Sequence, residues 1–252
     1  MSGHSKWAGI KHKKAIVDAK KGKEFTKVAN MITLAAKVGG KDPKMNFSLR
    51  LAIDKAKAVN MPATNVERAI KRGLGELGGV APEELIYEGY GPAGVAILVE
   101  AMTDNRNRTA SEVRSFFSKH GGNMAEAGSV AYIFENKGQI SLLLNEQKID
   151  QEALELVIVE SGADDYEINE DEVILYTTKT NLQKVLENLE TKQLKINESE
   201  ITYIPKNEIK IADPETAQKI VRLVEALEEI EDVTAVHANI DIPEEILEKL
   251  SS

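Results

Sequence analysis

Up to Gly73 the apolar residues of this chain recur only at helical spacing, and beyond Pro92 they switch between strand runs and helical stripes. That change of period constrains the fold more than any other feature, because a helix-period stripe and a strand-period stripe cannot bury the same face. From Asp18 to Val38, Phe25, Val28, Ala29, Ile32, Ala35 and Ala36 fall at i, i+3, i+4 and i+7, which predicts a helix stopped by Gly39-Gly40. A second helix is predicted from Asn46, a good N-cap, to Val59, with the stripe Leu49, Ala52, Ile53 and Ala56. A third begins near Thr64 in the capping-box spacing Thr64-x-x-Glu67 and stops at Gly73, with Val66, Ala69 and Ile70 inward. Residues 74–93, rich in Gly with Pro82 and Pro92, read as linker and turn around a short Ile86-Tyr87 segment.

The second part alternates. Val95 to Ala101 reads as a strand, Thr109 to His120 as a helix with the capping box Thr109-x-x-Glu112, and Ser129 to Glu135 as a strand. A β-α-β-β-α-β run follows, with strands near 139–144, 165–169, 172–177 and 200–205 and helices near 150–162 and 181–193. This is the order of a ferredoxin-like domain. A helix opened by Asp213-Pro214 and running to about Glu229, and a strand from Val233 to Ile240, then supply what the 94–135 unit lacks. The expected class is α+β with three domains, an all-helical N-terminal domain followed by two α/β-sandwich (ferredoxin-like) domains, the third inserted within the second. The expected limits are 1–80, 81–135 with 206–252, and 136–205. A simple row of domains would leave two half-units with incomplete cores.

Charge is segregated in the same way. Residues 1–80 carry 14 Lys and 3 Arg against 6 acids, a surplus of +11, whereas residues 81–252 carry 15 bases against 35 acids, a net −20. A segment of that sign attracts polyanions, which points to nucleic acid as the partner. The absence of cysteine excludes a disulfide framework, a thiolate zinc site and a thiol nucleophile. His4, His12, His120 and His237 show no paired metal spacing. The longest apolar run, Val95 to Val99, is far shorter than a membrane span, and no secretory signal opens the chain. The expectation is a cytoplasmic protein that is not an enzyme, with no catalytic residue, no cofactor, no metal and no membrane contact; the oligomeric state is not set by the sequence.

The candidate binding residues form two groups. Lys6, Lys11, Lys13 and Lys14 surround Trp7 and His12, and Lys20, Lys23 and Lys27 project to the helix face opposite the apolar stripe. Lysines neutralise phosphate as point charges and carry little base specificity. Two roles fit Trp7, stacking on an unpaired base or anchoring the arm to the helical core. The second group, Arg106 and Arg108 in the strand-to-helix stretch Thr103 to Thr109, with Arg114 beyond it, is a cationic site in an acidic half. It fits either a second phosphate contact or pairing with nearby Asp and Glu. Gly89-Tyr-Gly91-Pro-Ala-Gly94 has the spacing of a dinucleotide fingerprint, but a strand follows it where that motif needs a helix, so it reads as a tight turn into the strand.

Gly3 to Trp7, Ile10 to Lys14, Asn46 with Leu49-Arg50, and Asn60-Met-Pro62 resemble the N-terminal domain of the YebC/PmpR family. Glu88 to Pro92, Thr103 to Thr109, Glu112 to Arg114, Gly121-Gly122 and Gly128 to Val130 resemble the start of its second domain. The resemblance implies three domains with an all-helical first one. It also implies a role in gene expression, since bacterial relatives are described as DNA-binding transcriptional regulators. Similar proteins, including a mitochondrial translational activator of a cytochrome oxidase subunit, act on the ribosome, which would make ribosomal or transfer RNA the partner. From the residues themselves no recognition helix bearing Arg, Asn and Gln at reading positions stands out. Another class remains open, a protein-interaction module without nucleic-acid contact.

Overall fold

The computed structural model describes residues 18–78 and 82–251 and, in the first helix, side chains from Lys23 onward. The helical part comprises α1 (Asp18–Gly39), α2 (Phe47–Ala58) and α3 (Ala63–Gly73). Val28, Ile32, Ala35 and Ala36 of α1 close on Leu49, Ala52 and Ala56 of α2 and Ala69 of α3, a core of small side chains that lets the helices approach closely. Gly73 shows how closely: a Cβ there would stand 2.2 Å from the Thr33 carbonyl oxygen. The Thr33 hydroxyl bonds the Ala29 and Ala69 carbonyls, so it is satisfied inside the same contact. α1 ends at Gly39, and Gly40 continues at φ +81, the left-handed conformation that favours glycine.

The second domain is a four-stranded sheet in the order β3-β1-β2-β9, with β1 (Glu83–Tyr90), β2 (Ala96–Thr103), β3 (Asn123–Met124) and β9 (Val233–Ala238). Its neighbours are antiparallel, and β1 pairs with β2 along its whole length, from Glu83 opposite Thr103 to Tyr90 opposite Ala96. Helices α4 (Arg106–Lys119) and α7 (Pro214–Glu228) supply Val113, Phe117, Ile220, Leu223, Val224 and Leu227 to the core shared with Tyr87, Ile97, Val99 and Val236. The third domain runs β4 (Phe134–Leu143), α5 (Gln151–Ser161), β5 (Asp165–Ile168), β6 (Glu172–Thr178), α6 (Leu182–Thr191) and β7 (Glu198–Pro205). Its sheet order, β5-β6-β4-β7, is that of a ferredoxin-like domain. Residues 135–204 form one compact unit, and the described residues through Phe134 with those from Pro205 onward form another. The class is therefore α+β, an all-helical part followed by two α/β sandwiches with the second inserted in the first.

Several local expectations are corrected. The 74–93 stretch is not mainly linker, because Glu83–Tyr90 is a full strand. Its Gly89 has no room for a side chain, since a Cβ would lie 2.7 Å from both the Asn123 carbonyl oxygen and the Phe117 ring. Neither capping box forms. α3 starts one residue before Thr64, behind Pro62, whose fixed φ preorganises the first turn. α4 starts at Arg106, where the Asn105 side chain accepts from the Arg108 amide, and Thr109 lies buried within the helix. Ser129 to Glu135 is not a strand: a 3-10 turn, Ala131–Ile133, precedes one continuous β4. Also unread were β8 (Ile209–Lys210), which pairs in parallel with β10 (Ile240–Asp241), and α8 (Glu244–Ser251). Gly89 to Gly94 does form the tight turn between β1 and β2, with Ala93 and Gly94 at positive φ.

Candidate functional site

The helical part presents its cations on two faces, and the structure treats them differently. On the first, Lys23 Nζ donates to the Glu229 carbonyl oxygen at 3.0 Å and Lys27 Nζ to that of Glu228 at 2.7 Å. These carbonyls close the C-terminal end of α7, where the last turn has no helical donors left and carries partial negative charge. The two ammonium groups therefore tie α1 to α7. On the second face, α3 carries Arg68, Lys71 and Arg72 at i, i+3 and i+4, on the side away from buried Ala69 and Gly73. The Gly73 contact reaches the Lys37 amide, 3.1 Å from the Cβ position, so the last turns of α1 and α3 meet at one end of the helical part. Lys37, Lys41, Lys44, Arg68, Lys71 and Arg72 have no carboxylate partner among the described residues. Neighbouring like charges on a helix cost roughly 0.2–0.5 kcal/mol per pair. The helix dipole offsets this for Lys71 and Arg72 in the last turn of α3, but not for Arg68, a turn earlier.

The arginines after β2 are organised around one carboxylate. Asp232 accepts from the Thr109 hydroxyl at 2.6 Å, the Thr103 hydroxyl at 3.0 Å and Arg108 Nη2 at 2.9 Å. Burial pushes the Asp232 carboxyl up, and the bonds from Thr109, Arg108 and Thr103 more than offset it, holding it below the usual range. Arg108 also reaches Asp104 at 3.3 Å. Its guanidinium thus joins the start of α4 to the turn before β9. Arg106 stands 3.6 Å from Glu83 in an exposed pair, and Arg114 is exposed with no side-chain partner among the described residues.

A second carboxylate organises the loop after β3. Glu88, buried on the sheet, accepts the amides of Gly128, Val130 and Ala131 at 2.6, 2.6 and 2.8 Å. Burial raises its proton affinity, and these three bonds outweigh that and lower it. They also take those amides out of any strand ladder. On the same sheet, His237 Nε2 lies 2.7 Å from Glu100 Oε1, both side chains largely buried. Among the described residues no cluster of three or more His, Asp or Glu could hold a metal ion, and no helix is long and apolar enough to cross a membrane.

Of the residues singled out from sequence, Lys6, Trp7, Lys11, His12, Lys13, Lys14 and the side chain of Lys20 lie outside the described residues. Lys23 and Lys27 come together at α7; Arg106, Arg108 and Arg114 share α4 and are separate from them in sequence and element. Sequence reasoning passed over Lys37, Lys41, Lys44, Arg68, Lys71 and Arg72. The i, i+3, i+4 spacing of the last three was the available signal.

Two family descriptions cover nearly the whole chain: the TACO1/YebC protein N-terminal domain matches residues 5–76, and the TACO1/YebC second and third domain matches residues 82–240. The chain belongs to the TACO1/YebC family. A relative from Halothermothrix orenii is 49% identical over 251 residues, covering 100% of this chain and 99% of its own. One from Dictyoglomus thermophilum is 51% identical over 251 residues, covering 100% of both. Each is named "Probable transcriptional regulatory protein". The crystal structure of a conserved hypothetical protein from Aquifex aeolicus superposes with a TM-score of 0.85 at 50% identity, over 93% of this chain and 96% of that one. The names borne by TACO1/YebC relatives describe regulatory proteins rather than enzymes.

Proposed function

We propose that this protein is a non-enzymatic regulator of gene expression that binds nucleic acid through its helical part. One observation carries the reading: six cations, on the last turn of α1, the α1–α2 connection and α3, stand without carboxylate partners among the described residues, in a chain whose remainder holds a large acidic surplus. A fold with that many spare carboxylates has the means to neutralise those cations internally, as it does for Arg108. Their being left free supports an external polyanion. The limits 1–80, 81–135 with 206–252, and 136–205 belong to the same proposal, with Lys6, Lys11, Lys13, Lys14, Lys20, Arg106 and Arg114 as further phosphate contacts, while Lys23 and Lys27 serve the contact with α7. The relatives' names support transcription, hence duplex DNA. A second reading, ribosomal or transfer RNA contacted in the course of translation, is favoured by four of the six free cations being lysines, which neutralise backbone charge without reading base edges. Crosslinking the full chain to nucleic acid in living cells, with sequencing of what is attached, tests both. Enrichment of promoter DNA supports the first and of ribosomal or transfer RNA the second; recovery at the level of an uncrosslinked control contradicts the proposal.

A further inference from the structure

The two most exposed large apolar side chains among the described residues flank the end of α1 and the start of α2: Val38 is 81% exposed and Met45 is 84% exposed. Val38 is the last residue but one of α1 and Met45 lies in the connection to α2, and neither takes part in the helical core. A single exposed aliphatic residue is unremarkable; two of this exposure within eight residues of chain, among lysines, are candidates for contact with a partner.

The turn is built to hold them still. Asn46, itself 6% exposed, donates through Nδ2 to the Ala35 and Gly40 carbonyls at 2.8 Å each, and its Oδ1 accepts the Leu49 amide at 3.1 Å. Gly39 lies so close that a Cβ would stand 2.6 Å from Asn46 Cγ, and the Gly40 amide bonds the Ala36 carbonyl at 2.9 Å. The Asp42 carbonyl takes the Met45 and Asn46 amides, at 3.0 and 2.9 Å. The conformation is therefore prepaid, and little ordering entropy is left to lose when a partner docks.

The surroundings name the chemistry of that partner. Lys37, Lys41 and Lys44 are exposed around Val38 and Met45 and have no side-chain partner among the described residues. The one carboxylate in the segment, Asp42, has Oδ1 turned to the Lys44 amide at 2.9 Å. Two exposed apolar residues interspersed with lysines fit a polyanion that also offers flat apolar faces, namely nucleic acid with its bases exposed. In a duplex those faces are already stacked, and opening a step costs a few kcal/mol. In an RNA loop they are splayed out at no such cost.

Resting on the nucleic-acid reading above, we propose that the α1–α2 turn meets an unpaired region of RNA, with Val38 and Met45 against the face of a base and Lys37, Lys41 and Lys44 on the flanking phosphates. The test uses the full chain and a fluorescently labelled RNA stem–loop. Paired RNA of the same composition, a DNA duplex and vesicles of anionic phosphatidylglycerol serve as the other arms. The double variant Val38→Ser with Met45→Ser is expected to lose about tenfold in affinity for the stem–loop, with its salt dependence unchanged and little change on paired RNA. The triple variant with Lys37, Lys41 and Lys44 changed to Gln is expected to flatten the log–log salt slope by about 2 on unpaired RNA. Melting temperatures should match the wild type, because none of these side chains is buried. If the wild type binds the stem–loop and the Val38/Met45 variant binds it equally well, this inference fails while nucleic-acid binding stands. If the wild type binds no nucleic acid, the underlying reading fails. A loss seen equally on duplex DNA, or on vesicles instead of RNA, assigns the apolar pair to another partner and overturns the proposal.

Discussion

At the scale of single residues, a buried carboxylate, Glu88, and a partly buried one, Asp232, hold the second domain's loops, and each makes a measurable claim. Glu88 carries three backbone amides, so Glu88→Gln should cost roughly 1–3 kcal/mol in urea unfolding at neutral pH, a loss of charge-assisted bonds to buried donors. Its folded pKa lies below the ordinary value of 4.5. The stability it adds is therefore complete above that value and drains away as pH falls through the lower, folded pKa. The gap between wild type and Glu88→Gln should close on acidification; a gap that widened would contradict the assignment. Asp232→Asn should cost roughly 2 kcal/mol, because two threonine hydroxyls and a guanidinium lose their anion. Arg108→Gln should cost less, since that side chain is half exposed. Asp232 shows what the sequence could not convey about the Arg108 cluster: its main partner lies 124 residues away along the chain.

At the scale of elements, Gly73 separates two physical effects. Helix propensity alone predicts that Gly73→Ala gains about 1 kcal/mol. The Cβ position 2.2 Å from the Thr33 carbonyl oxygen predicts a net loss of about 3 kcal/mol as α3 is pushed off α1. Thermal melting of the variant decides the sign. The elements that were legible in sequence were those with long, uninterrupted stripes: α1 and α2, α5 and α6, and α7 behind Asp213-Pro214 fall within a few residues of where periodicity puts them. β1 was hidden because Glu83-Glu84 and Gly89 break its apolar alternation and Pro82 and Pro92 flank it. The capping boxes misled because Pro62 and Asn105, upstream of each, start the helices sooner. The helical projection of α1 correctly separates Lys23 and Lys27 from the apolar stripe, yet a wheel cannot report that the carbonyls ending α7 occupy that face. β8 and β10, two residues each, leave no periodic trace at all.

At the scale of the whole molecule, the charge segregation is the central fact. A helical part with free cations and an acidic remainder make a chain whose two parts respond oppositely to a polyanion, and on the proposed reading it is the helical part that meets it. The most direct measurement is the salt dependence of the full chain's affinity for a labelled DNA duplex, beside a variant in which Lys37, Arg68, Lys71 and Arg72 are changed to Gln. With about 6 phosphates neutralised, log K should fall against log salt with a slope near −5, and the variant's slope should be shallower by between about 3 and 4. A flat response in the wild type, or a variant whose slope matches it, would contradict the account.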